Sequence, residues 1–141
     1  ENGLYYDHIG IAMLDYTTRE LVIQAESGKR RGALGKRLPL DMGLIGQVAR
    51  TGKAAAFHAL PNNQNGLKPV LPDTAAAMGL PIFYADHLHG VLYVETVEHT
   101  EFSDEESLLL RTLADLISGA LHNALTFQKA QEQAITDGLT G

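Results

Sequence analysis

Short apolar runs rich in β-forming residues recur along the first hundred positions, separated by polar links, and they predict β-strands. In residues 4–15, Ile9, Ile11 and Met13 fall on one face of such a strand. The opposite face is also mostly apolar, so the segment is predicted to be a central strand with both faces covered. Residues 20–28 follow across a short polar link and are predicted to pair with it in the antiparallel sense.

The spacing of apolar residues then predicts one helix, followed by further strands. Residues 41–53 place Leu44, Ile45 and Val48 on one helical face, and Gly52 stands where a glycine would cap the C-terminus. Residues 54–59 predict a short strand, and residues 74–97 predict two strands joined by a turn. Residues 60–73 contain three prolines, three asparagines and a glycine, which predicts a loop. The total is five or six short strands with one helix among them.

The last segment predicts a long helix. Ser103 and Glu106 have the spacing of a capping box, and no proline follows before about Thr136. At ~1.5 Å per residue such a helix spans roughly 50 Å, which exceeds the ~30 Å width of a small domain. We therefore expect the helix to extend beyond the domain in which it begins. A helix packed wholly on its own sheet is the alternative, but it does not explain this length.

A stripe of apolar and small residues with alternating steps of three and four runs along this helix. That spacing is typical of a coiled coil, and it predicts a parallel homodimer. The predicted interface consists of Leu110, Leu113, Ile117, Ala120, Ala124, Phe127 and Gln131.

Composition and charge narrow the possible functions. The 141 residues carry a formal net charge of −6, which argues against a general nucleic-acid surface. We interpret the basic cluster of Lys29, Arg30 and Arg31 with Lys36 and Arg37 as a solvated loop. The chain has no cysteine, which excludes disulfides, thiolate ligands and a thioether-linked chromophore and is compatible with a reducing cytoplasm. No apolar run approaches the ~20 residues needed to span a bilayer.

Three stretches together resemble a GAF domain over residues 5–128: "DMGLIGQVARTGK", the strand that ends "GVLYVET", and "FSDEESLLLRTLADLISGALHNA". The resemblance implies an α+β fold related to PAS domains. Its features are a central antiparallel sheet of about six strands, helices on one face, and a long C-terminal signalling helix. It also implies a small-molecule pocket on the other face, beneath the loops.

The final stretch "TDGLTG" is similar to the opening of a GGDEF domain, and Asp137, Leu139, Thr140 and Gly141 carry that similarity. The implied organisation is a sensory domain in residues 1–128, with the end of a linker helix and the start of a GGDEF domain in residues 129–141. The implied parent is a diguanylate cyclase, which makes cyclic di-GMP. None of its catalytic residues lie in this chain, so the chain itself is expected not to be an enzyme.

Other chemistry finds little support in the sequence. There is no G-x-S-x-G, P-loop or H-E-x-x-H motif, and no metal site is predicted. A haem held by a histidine, a bound cyclic nucleotide, or a ligand-free dimerisation scaffold remain alternatives to an unidentified small ligand, and the cofactor is unknown. The predicted function is control of a downstream cyclase by a cytoplasmic sensor.

The predicted pocket is lined by residues 54–58, the loop 60–73 and the inner face of the last strands. Each candidate also has a packing or turn explanation. The candidate ligand-binding residues are Phe57, His58, Asn62, Asn63, Asp73, Tyr84, Tyr93 and Glu95.

Overall fold

A computed structural model describes residues 7–58, 68–97 and 102–140 of the chain. Six strands and two helices follow one another in these ranges. They are β1 (His8–Asp15), β2 (Glu20–Ser27), β3 (Arg37–Pro39), α1 (Gly43–Thr51), β4 (Ala55–His58), β5 (Ala76–Tyr84), β6 (His87–Thr96) and α2 (Asp104–Thr140).

The strands form a single antiparallel sheet in the order β3-β2-β1-β6-β5-β4. Strands β1 and β6 therefore lie at its centre, as the apolar character of both faces of β1 predicts. The predicted α+β class, with about six antiparallel strands and a long C-terminal helix, is confirmed. Two residues with positive φ, Ala85 and Asp86, form the tight turn between β5 and β6.

The two faces of the sheet bury different clusters, because successive side chains of a strand point to opposite sides. On one face, Leu80, Ile82, Leu92 and Val94 pack against Leu110 and Ala114 of α2, and we call this the α2 face. On the other, Ala12, Ile23 and Tyr93 pack with Ile45 and Val48 of α1, and we call this the α1 face. The two helices thus lie on opposite sides of the sheet, rather than on one face as the resemblance implies, because both faces of the central strands are apolar and each needs cover. Helix α1 shares its side with the loops.

Local sequence determines the ends of both helices. Gly52 has a left-handed φ of 69° and its N–H donates to the Val48 carbonyl at 2.8 Å, so the predicted cap is confirmed. Ser103 and Glu106 bond reciprocally, at 2.9 and 3.1 Å, which confirms the capping box. Helix α2 continues to Thr140, slightly beyond the predicted end near Thr136. No helix in the described ranges is long and apolar enough to cross a bilayer.

Candidate functional site

The α1 face carries a cluster of buried polar side chains at the centre of the sheet. Strand β6 supplies Tyr93 and Glu95, and the adjacent β1 supplies His8; all three are fully buried. The antiparallel register sets His8 opposite Glu95 and Gly10 opposite Tyr93. A Cβ on Gly10 would lie 2.4 Å from the Tyr93 hydroxyl, so this glycine makes room for the phenol ring. We call this group, together with Asp7, Arg30 and Thr74, the polar cluster.

Glu95 fastens a loop over the sheet. One of its carboxylate oxygens accepts the Val70 N–H at 2.5 Å, and the other accepts the Leu71 N–H at 3.0 Å and lies 2.7 Å from the Thr74 hydroxyl. Residues 68–74, which we call the covering segment, are therefore held by one carboxylate of the central strand. Hydrogen bonds to a carboxylate are among the stronger ones in proteins, so these bonds stabilise the position of the covering segment.

Arg30 joins the covering segment to the start of β1. Its guanidinium donates to the Asp7 carboxylate at 3.1 Å, to the Pro72 carbonyl at 2.8 Å and to the Thr74 hydroxyl at 2.9 Å. The Glu95 carboxylate lies 4.0 Å away. The prediction that the basic cluster is simply a solvated loop is therefore wrong for Arg30, because these partners lie 23 to 44 residues away in sequence.

His8 and Tyr93 form the inner part of the polar cluster. His8 Nδ1 lies 3.0 Å from the Arg30 carbonyl oxygen, and Nε2 lies 2.9 Å from the Tyr93 hydroxyl. A carbonyl only accepts, so the Nδ1 N–H donates to the Arg30 carbonyl oxygen, and Nε2 and the Tyr93 hydroxyl form the second hydrogen bond of the ring. Burial raises the pKa of Tyr93 above its usual range, with further contributions from the negative charges of Glu95 and Glu26. The phenol therefore keeps its proton at neutral pH.

The structure brings together some of the predicted ligand-binding residues and separates others. Tyr93 and Glu95 lie in the polar cluster, and Asp73 is exposed next to Thr74 with a positive φ of 63°. Phe57 packs near Leu44 on the α1 face.

Two of the other candidates lie elsewhere in the fold, and two cannot be placed. Tyr84 lies on the α2 side, where its ring is 5.1 Å from that of His122, so it does not belong to the same site as Tyr93. His58 ends the edge strand β4. Asn62 and Asn63 lie outside the described residues.

Sequence reasoning missed four members of the polar cluster: Asp7, His8, Arg30 and Thr74. His8 had a usable indication, since it is a polar residue on a face of β1 that is otherwise apolar. The other three could not be found from local pattern, because their partners come from distant segments.

An apolar cavity of about 200 Å³ lies beside the covering segment. It is enclosed by β3 and the turn after it, the first residues of α1, and residues 68–70. Val70 forms part of its wall, and the Val70 N–H donates to Glu95. One hydrogen bond therefore joins the cavity wall to the polar cluster. The described residues contain no group of three or more His, Asp or Glu side chains positioned for a metal ion.

The residues of the predicted dimer interface divide into two groups along α2. Leu110 is fully buried against the sheet of its own chain, and Leu113 and Ile117 pack against the same cluster. Ala120, Ala124, Phe127 and Gln131 are exposed. The first half of the stripe is therefore occupied within the chain, and only its second half is available to a partner.

A six-stranded antiparallel sheet with a helix on each face and a loop fastened over its centre defines an α+β domain. The family model for the GAF domain matches residues 6–122, and the chain belongs to this family. It is thus a regulatory, sensory GAF domain.

Two solved structures have the same fold. The GAF domain of a phosphoenolpyruvate-protein phosphotransferase from Coxiella burnetii has a TM-score of 0.73 and 25% identity, covering 88% of this chain and 76% of that one. The GAF domain of the Acinetobacter phosphoenolpyruvate-protein phosphotransferase has a TM-score of 0.72 and 23% identity, covering 88% and 75%.

Curated relatives include the anaerobic nitric oxide reductase transcription regulator NorR. The protein from Shigella boydii is 34% identical over 136 residues, which cover 90% of this chain and 26% of the relative. The protein from Salmonella newport is 36% identical over 139 residues, covering 92% and 27%. The chain thus spans about a quarter of the length of the curated relatives it matches.

Proposed function

We propose that this domain binds a small molecule on the α1 face, beneath or beside the covering segment, and passes its occupancy to an output domain through α2. The observation that carries this proposal is the attachment of the covering segment to Glu95. A segment held by a few hydrogen bonds to one side chain can exchange some of those bonds for contacts with a ligand. Its position then reports whether the site is occupied.

The central strand β6 offers a physical route to the helix. Glu95 holds the covering segment on one face, and its neighbour Val94 packs in the same cluster as Leu110 of α2 on the other. A ligand that favours one position of the covering segment acts on α2 through a single strand. Couplings of about 1 to 3 kcal/mol are normal for such two-site systems, and the ligand contributes only its differential affinity for the two states.

We propose further that the domain dimerises in parallel through α2. The exposed apolar residues of the helix form a candidate contact stripe that lies around the helix from the predicted one. Leu109 and Leu116 are seven residues apart, as are Ala120 and Phe127, and the four residues share one side of the helix. Leu109, Leu116 and Phe127 are 49%, 66% and 64% exposed. An apolar row of this kind on the surface is typical of a contact surface.

The output of the parent protein has two candidates. A diguanylate cyclase is supported by the similarity of residues 137–141 to the opening of a GGDEF domain. Control of transcription is supported by the NorR relatives, which are transcription regulators by name. Assay of the complete parent protein separates the two: formation of cyclic di-GMP from GTP supports the cyclase, and sequence-specific DNA binding without it supports the regulator. The cytoplasmic location remains a prediction.

The ligand is tested by native mass spectrometry of the purified domain, followed by a thermal-shift screen of small metabolites. We expect a dimer mass and at least one compound that raises the melting temperature of the wild type. The same compound should have a reduced effect on Glu95→Gln, because that change weakens the attachment of the covering segment. A red preparation with a Soret band would favour the haem alternative, and a screen without any stabilising compound would favour the ligand-free scaffold.

A further inference from the structure

The cavity beside the covering segment is almost entirely apolar. Leu38 forms its wall on β3, Leu44 and Ile45 form its wall on α1, and Val70 forms its wall on the covering segment. Leu44 and Ile45 are nearly fully buried, so these walls belong to the packed core of the α1 face. Pro39, Met42 and Lys68 are the exposed members of the lining, which places the mouth of the cavity among them.

Two backbone N–H groups beside this cavity already have hydrogen-bond partners within the protein. The Leu44 N–H donates to the Lys68 carbonyl at 2.9 Å, and the Val70 N–H donates to Glu95. Among the described residues that line it there is no carboxylate, and the only charged side chain is the exposed Lys68. A charged or strongly polar ligand would lose its hydration here without gaining equivalent hydrogen bonds, which weakens its binding.

The size of the cavity selects among apolar ligands. Pockets for drug-sized molecules have volumes of about 300 to 1,000 Å³, whereas an apolar cavity of about 150 Å³ accommodates one benzene. At about 200 Å³ this cavity suits a single substituted ring or a short hydrocarbon chain. Larger ligands, such as nucleotides or tetrapyrroles, exceed this volume.

We propose that this cavity is a binding site for a small, uncharged, apolar molecule of about one aromatic ring. The inference rests on the proposed sensory function and deepens it by naming the position and chemical class of the ligand. A ring in the cavity would contact Val70 directly, and the N–H of Val70 is the group that Glu95 holds most closely. Occupancy would therefore act on the attachment of the covering segment without touching the polar cluster itself.

Toluene is a suitable probe, and methyl NMR of the intact chain reports its position without any mutation. We expect saturable shifts at the methyl groups of Leu44, Ile45 and Val70 and none at Leu121, which packs on the α2 face. Benzoate, which has the same ring and one charge, should bind at least about tenfold more weakly, because its carboxylate must be desolvated. Absence of saturable shifts, equal shifts at Leu121, or tighter binding of benzoate would overturn the proposal.

A filling substitution provides an independent test. Val70→Phe places a ring in the cavity and keeps the N–H that Glu95 accepts, so it should abolish the toluene shifts and leave the fold intact. Val97→Phe makes the same change at an exposed valine elsewhere and should leave toluene binding unchanged. Retention of toluene binding by Val70→Phe would overturn the site. Stabilisation of the wild type by a polar metabolite, with no response to toluene, would refute this inference while supporting the proposed function.

Discussion

At the scale of single residues, Glu95 is the group that attaches the covering segment to the sheet. Its carboxylate is buried at the centre of the sheet and accepts from the backbone of two residues in the covering segment. Tyr93 and Glu95 could be selected from the sequence because they stand on the inner face of a predicted core strand. Arg30 could not, since nothing in a run of basic residues indicates which one turns inward to Asp7 and Thr74.

Replacement of Glu95 by Gln tests this role. The amide has one acceptor oxygen, and its NH2 group cannot accept the second backbone N–H, so at least one buried donor loses its partner. We expect the free energy of unfolding to fall by about 2 kcal/mol, measured by urea denaturation. Glu20→Gln is the matched control, because Glu20 pairs with Arg37 at the surface and should cost less than about 1 kcal/mol. Equal losses in the two variants would contradict the assigned role.

The buried phenol of Tyr93 makes a prediction about alkaline pH. Its pKa is raised in the folded state, mainly by burial, so the folded state holds the phenol proton after the unfolded chain has lost it. The stabilisation that comes from keeping this proton is fully present below the unfolded pKa of about 10. Above that pH, the free energy of unfolding falls by up to about 1.4 kcal/mol per pH unit. Tyr93→Phe should start less stable but show a shallower decline above pH 10 in urea titrations. Parallel curves would contradict the burial of an ionisable phenol.

At the scale of elements, the sequence predicts where helices begin and end, but it does not predict the side of the sheet on which they pack. The capping box of α2 and the glycine cap of α1 were predicted correctly because each depends on residues within a few positions. The register of distant strands determines the side of the sheet on which α1 packs. It also determines that Leu110 packs against the sheet and not against a partner. A stripe with coiled-coil spacing therefore predicted a contact surface but could not distinguish the sheet from a partner chain.

Two glycines in helices give a matched pair at this scale. A Cβ on Gly119 would meet no other atom within 4 Å, whereas a Cβ on Gly46 would lie 2.9 Å from the Leu40 carbonyl oxygen. Gly119→Ala should raise the free energy of unfolding by about 0.5 to 1 kcal/mol through helix propensity. Gly46→Ala should lower it, since α1 must move away from the preceding turn. The sign of each change in urea denaturation is the test, and a reversed order would contradict the placement of α1.

At the scale of the whole molecule, the sheet separates the proposed ligand face from the proposed output face. The α1 face holds the covering segment, the polar cluster and the apolar cavity, and the α2 face holds the helix that continues to Thr140. A stimulus on one side must pass through the central strands to reach the other.

The proposed dimer is tested at this scale by light scattering and sedimentation. Phe127→Asp places a charge in the exposed stripe and should shift a high-micromolar sample from dimer to monomer. Leu108→Asp introduces the same charge at an exposed leucine, 67% accessible, about 100° around the helix from Leu109. We expect it to leave the dimer intact. A wild type that is monomeric, or a Phe127→Asp variant that remains dimeric, would refute the proposed stripe.

The most direct test of the central claim is hydrogen–deuterium exchange of the wild-type chain with and without a compound that stabilises it in the metabolite screen. A ligand on the α1 face that acts through the sheet should slow exchange in residues 68–74 and also change exchange in the part of α2 that packs on the sheet, residues 104–121. Protection confined to the exposed surface of α2, with residues 68–74 unaffected, would contradict the account.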